Sequence, residues 1–122
     1  MKTVQIVSRQ QVEMIDISAE VCRTIGACGI SNGLALVFTP HTTAAITINE
    51  NADPDVTRDI VMELNKIVPF ADGYLHSEAN SAAHLKSSLF GASETLIVED
   101  GQPVLGPWQG IYLCEFDGPR RR

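Results

Sequence analysis

In the run ETLIVEDGQPVLG, residues 94–106, the pair Asp100-Gly101 separates two apolar stretches. A two-residue Asp-Gly loop in that setting is the strongest short-range signal for an antiparallel hairpin, because both positions must take positive φ. Four more stretches have the length and apolar density of strands: VEMIDI (12–17), LALVFT (34–39), AAITINE (44–50) and GIYLCEF (110–116). VQIV (4–7) also alternates, and the polar SRQQ after it reads as a hairpin connection to VEMIDI. Most of the chain is therefore committed to short strands joined by tight turns.

Three segments carry a helical period. Val21, Ile25 and Cys28 repeat at three- and four-residue spacing from about Ser18 to Gly29. Asp53 before Pro54 is the order of an N-cap followed by proline in the first turn, and Val56, Ile60, Leu64 and Ile67 or Val68 form the stripe that follows. A third helix runs from about Ser81 to Phe90, closed by Gly91, with Leu85 and Leu89 as its buried stripe. With 122 residues and no repeat or linker, the chain is one domain, residues 1–122, of α+β class: about three helices on largely antiparallel sheets.

Charge and composition exclude several functions. A net charge of −6 offers no basic stripe for nucleic acid. The one basic cluster, Pro119-Arg120-Arg121-Arg122, reads as a solvated tail. No window is a membrane span or a signal core, and Cys22, Cys28 and Cys114 match neither a zinc ribbon nor a redox pair. They read as reduced and mostly buried, which makes the expected location cytoplasmic. No GxGxxG, Walker loop or Ser-His-Asp order is present.

The chemistry concentrates on histidine. All three histidines, His41, His76 and His84, stand in segments rich in Ser, Thr and Asn. On one continuous helix His76 and His84 would be about 12 Å apart, so His76 must lie off the helix and fold back toward its start. Three converging imidazoles are the donor set of an open zinc site, with Thr42, Thr43 and Asn80 as hydrogen-bonding neighbours or phosphate contacts. His41 and His84 are also the candidate catalytic groups, and Glu50, at the end of AAITINE beside Asn49, is a candidate that equally suits a turn cap. Lys86 is either a phosphate partner or the exposed face of a short helix. Trp108, in LGPWQG, reads as filling a core edge.

Three long segments, FTPHTTAAITINENADPDV, HSEANSAAHLKSSLFG and LGPWQGIYLCEFDGPRRR, resemble the signature segments of the YjbQ-type family, often labelled secondary thiamine-phosphate synthase. The resemblance spans nearly the whole chain. It implies a homotrimer, a metal held by His41, His76 and His84, and the joining of a pyrimidine diphosphate to a thiazole phosphate with loss of pyrophosphate. Two positions depart from the pattern: Ala79 stands where glycine is common, and Ala82 where a polar residue is common. A histidine cluster suits zinc, whereas phosphate chemistry suits magnesium on oxygen ligands. The expectation is a metal-dependent enzyme acting on a small phosphorylated metabolite. The alternatives are a zinc-dependent hydrolase and a non-catalytic metal- or metabolite-binding protein.

Overall fold

The structure, a computed structural model, describes residues 1–122. The chain runs β1 (Glu13–Asp16), α1 (Ser18–Ala27), β2 (Gly33–Phe38), β3 (Ala44–Glu50), α2 (Pro54–Ile67), α3 (Ser81–Phe90), β4 (Ser93–Glu99), β5 (Gln102–Pro103) and β6 (Gln109–Glu115). Two antiparallel three-stranded sheets form, ordered β1-β6-β3 and β2-β4-β5. This is the α+β architecture expected, with three helices.

One buried cluster lies between the sheets and under α1: Ile17, Val21 and Ile25 meet Ala44, Ile46, Leu96, Val98, Ile111 and Leu113. A second fills the other face of the β1-β6-β3 sheet, where Ala45, Tyr112, Cys114 and Phe116 pack with Leu64 of α2 and Ala83 of α3. Central strand β6 is thus covered on both sides, and each large apolar side chain it buries contributes about 1.5–3 kcal/mol. In the same interior, burial pushes the Cys114 thiol up to about 12.

Local chemistry sets the element ends. The Asp53 carboxylate accepts a hydrogen bond from the Asp55 amide at 2.9 Å, and Pro54 takes the first turn of α2. Asp100 (φ 51°) and Gly101 (φ 75°) both have the positive φ that the β4–β5 hairpin requires.

The structure departs from the sequence expectations in several places. The first alternating segment does not form a hairpin with VEMIDI. β1 pairs with β6, while Ile6 exchanges backbone hydrogen bonds with Arg122, the Ser8 amide donates to the Arg120 carbonyl, and Val7 bridges Arg121. Alternation identifies a strand but not its partner, and β6, apolar on both faces, gives β1 the better one. The basic terminus is accordingly tied down instead of solvated.

α3 turns the other way from its leucines. Leu85 and Leu89 are exposed, while Ala82, Ala83 and Lys86 face inward. Small side chains let the helix approach β3 closely enough for the Ser87 hydroxyl to donate to the Ala44 carbonyl at 2.6 Å. Trp108 is exposed rather than a core filler, and among the cysteines only Cys114 is fully buried; Cys22 is half-buried and Cys28 exposed. No helix is long and apolar enough to cross a membrane.

Candidate functional site

Three segments meet at one end of the β1-β6-β3 sheet: the approach to β3, the start of α3, and the chain leaving β6. Ala44 lies opposite Glu115, and the Phe116 amide donates to the Thr43 carbonyl at 3.1 Å. Between them lies a cavity of about 450 Å³. Its walls are Pro40, His41, Thr42, Thr43, Glu78, Asn80, His84, Asp117, Arg120 and Arg122. Apart from Pro40, every one of these side chains is polar or charged.

The turn before α3 places the histidines. The Ala79 amide donates to the His76 carbonyl at 3.1 Å, and Ala79 closes the turn with φ 59°. This folds His76 back off the helix, as its spacing from His84 requires. The two rings meet edge to face with centroids 5.5 Å apart, and His76 Nε2 lies 3.9 Å from the Glu78 carboxylate. The left-handed conformation at Ala79 falls where the resembled pattern has glycine, and it strains an alanine by about 1–2 kcal/mol.

Asn80 precedes α3 but does not cap it with its side chain. Its amide nitrogen donates to the Asp117 carboxylate at 3.0 Å, while its carbonyl oxygen is buried without a partner. The first-turn amides of α3 therefore lack a side-chain cap at the cavity edge, where an anion is favoured.

The C-terminal arginines belong to this site, which composition alone does not reveal. The Arg122 side chain is almost fully buried: Nε donates to Glu115 Oε2 at 2.6 Å, and Nη2 donates to Glu115 Oε1 at 2.9 Å and to the Thr43 hydroxyl at 2.8 Å. Thr43 Oγ1 is thereby used as an acceptor, so its own proton is left to donate. Arg120 is half-exposed and braced by Asp117, with Nε on the Asp117 carbonyl at 2.8 Å and Nη2 on its carboxylate at 3.0 Å. Those bonds leave Nη1 free for a ligand. The available sequence signal was the antiparallel match of the two chain ends, hidden because a run of arginines carries no strand pattern.

Two sequence candidates lie elsewhere. Glu50 ends β3 at the far side, about 23 Å along the strand from Thr43 at the usual rise of a strand. Its carbonyl accepts a hydrogen bond from the Tyr112 hydroxyl at 2.9 Å, where burial and then the charges of Asp16 and Glu50 raise the phenol above its ordinary range. Lys86 is neither an exposed helix-face residue nor free to reach a phosphate. It is fully buried, donates to the Val68 carbonyl at 2.7 Å and sits 3.8 Å from the Phe70 ring centre. Burial lowers its pKa.

The structure does not assemble the expected zinc site. Imidazole nitrogens with a nearby carboxylate suit zinc, yet no group of three or more His, Cys, Asp or Glu side chains is arranged to hold a metal ion. His76 and His84 are in ring contact, and His41 lines the same cavity as His84.

Comparison with known proteins places the whole chain. Residues 2–122 match the family model for UPF0047 protein YjbQ-like. The Bacillus subtilis UPF0047 protein YugU is 53% identical over 100% of this chain and 93% of its own length. An uncharacterised YjbQ/UPF0047-family protein from Clostridium acetobutylicum superposes with a TM-score of 0.96 at 52% identity, covering 98% of this chain and 92% of that one. A YbjQ-like protein of unknown function from Sulfolobus solfataricus superposes with a TM-score of 0.92 at 34% identity, over 96% of this chain and 86% of that one. The fold, the full-length sequence match and these relatives agree, and the chain belongs to the YjbQ-like UPF0047 family.

Proposed function

We propose that the polar cavity binds a small phosphorylated metabolite and that His41 and His84 act on it as acid–base groups. The observation that carries this reading is the shared lining of one cavity by both histidines, Arg120, and the hydroxyls of Thr42 and Thr43. Hydroxyl and amide donors beside an arginine stabilise phosphate charge where it develops, and imidazole nitrogens can both accept and donate a proton. Glu50 and Lys86 have no part in it. Titration with inorganic phosphate tests the binding half; absence of any stabilisation or heat of binding contradicts it.

A metal at His41, His76 and His84 is a second reading, favoured by the 5.5 Å contact between two of the rings. Zinc is the ion the donors suit; magnesium would need oxygen ligands. Elemental analysis of untagged protein tests it: His84→Ala lowers metal content sharply if the ion is bound there, and equal stoichiometry removes the idea. The synthase chemistry is discriminated by joint depletion of pyrimidine and thiazole precursors with release of pyrophosphate. A hydrolase consumes one substrate and water, and a binding protein shows ligand-dependent stabilisation without turnover.

Homotrimeric assembly is part of the proposal. Its support is the outer face of the β2-β4-β5 sheet, where Leu34 (68% exposed), Leu36 (66%), Phe38 (57%) and Ile97 (56%) form an uncovered apolar patch. Light scattering that returns a monomer at micromolar concentration contradicts it. A cytoplasmic location fits the three free cysteines; fractionation of cells producing the protein tests it, and recovery outside the cytoplasmic fraction contradicts it.

A further inference from the structure

We infer that the ligand of this cavity is a non-aromatic phosphate ester with free hydroxyls, a polyol or sugar monophosphate, and that Glu78 recognises its hydroxyls. The inference rests on the reading of the cavity as a phosphate site and names its substrate class. Small-molecule sites of about 300–1,000 Å³ are ordinarily lined by apolar and aromatic side chains. This one has about 450 Å³ and no such wall: Pro40 is its single carbon-rich side chain. Its only aromatic rings are the imidazoles of His41 and His84, polar groups assigned here to proton transfer, and beyond Pro40 no apolar surface lines it to receive a heteroaromatic ring.

The donors and acceptors divide into two sets. Arg120 and the hydroxyls of Thr42 and Thr43 offer protons to an anion. Against them stand acceptors that a phosphate would repel: the carboxylates of Glu78 and Asp117, and the buried, unpartnered carbonyl oxygen of Asn80. Buried acceptors need donors, and a carboxylate beside a bound anion is tolerated where it receives hydroxyl protons. Asp117 is held in place by Asn80 and Arg120, which both donate to its Oδ2. Glu78 is not: its carboxylate lies 3.9 Å from His76 Nε2, beyond hydrogen-bond distance, and its side chain is largely exposed. It is therefore the free acceptor for a ligand's hydroxyls.

Calorimetric titration of the full chain with inorganic phosphate, glycerol 3-phosphate, ribose 5-phosphate and a thiazole-ethanol phosphate tests this. The hydroxylated esters are expected to bind about tenfold or more tighter than inorganic phosphate and the thiazole ester, the scale of one hydrogen bond to a charged group. Glu78→Ala is expected to remove that advantage while inorganic phosphate, freed of a repelling carboxylate, binds no more weakly than to wild type; the exposed position of Glu78 spares the fold. Equal or tighter binding of the thiazole ester overturns the inference while the phosphate site stands. So does an equal loss for all four probes in Glu78→Ala. Failure of all four to bind wild type overturns the phosphate reading itself, and the inference with it.

Discussion

Arg122 Nε and Glu115 Oε2 lie 2.6 Å apart with both side chains withdrawn from water, 4% and 0% exposed. The pair ties the end of β6 to the approach to β3, because the same guanidinium also holds the Thr43 carbonyl and hydroxyl. A buried pair is costly to break from one side, since the remaining charge is stranded. Arg122→Ala is expected to destabilise the fold by about 3–5 kcal/mol, and Arg122→Met combined with Glu115→Leu by much less. Urea denaturation of the three proteins measures this; a single variant no worse than the double one contradicts the account.

At Ala79 the expectation has the opposite sign. An alanine held at φ 59° carries strain that glycine lacks. Ala79→Gly should stabilise the protein by about 1 kcal/mol, which raises Tm by roughly 4 °C in a domain of this size. Thermal unfolding followed by circular dichroism decides it, and an unchanged or lower Tm means the turn is not strained.

Lys86 should behave as a structural cation. Its folded pKa lies below the ordinary value of 10.5 because burial disfavours the charged form. As pH rises through the folded value toward 10.5, the folded state loses this proton before the unfolded state does, so wild type gains stability over that window and loses it again as pH falls. Lys86→Met lacks the group. The stability of wild type relative to Lys86→Met is therefore expected to rise on the alkaline side, with phosphate affinity the same in both. Parallel stability curves from pH 7 upward, or a lost phosphate affinity, contradict this.

The legible and illegible parts of the sequence differ in the range of the interactions that decide them. The hairpin at Asp100-Gly101 and the N-cap at Asp53 are local, so residue type alone predicts them. Strand partners and helix orientation are not. The pairing of Ile6 with Arg122 depends on residues at opposite ends of the chain, and the inward turn of Ala82, Ala83 and Lys86 depends on how closely α3 approaches β3. The same division runs through the site. Thr42, Thr43, Asn80, His41 and His84 stand in polar segments beside strand and helix ends, and the fold brings them to one cavity. Asp117, Arg120 and Arg122 join them through tertiary contacts alone, in a segment whose composition resembles a tail. Residue type alone nominates Glu50 and Lys86, and their surroundings assign them elsewhere.

The central claim is that His84, Arg120 and the β3-approach hydroxyls form one phosphate site. Phosphate titration of wild type, His84→Ala and Thr42→Val by calorimetry tests it most directly, with Tm recorded for each protein. The account predicts measurable binding to wild type, at least about tenfold weaker binding to both variants, which corresponds to about 1.4 kcal/mol, and little change in Tm, since His84 is only half-buried and Thr42 exposed. Undiminished phosphate affinity in both folded variants would contradict it.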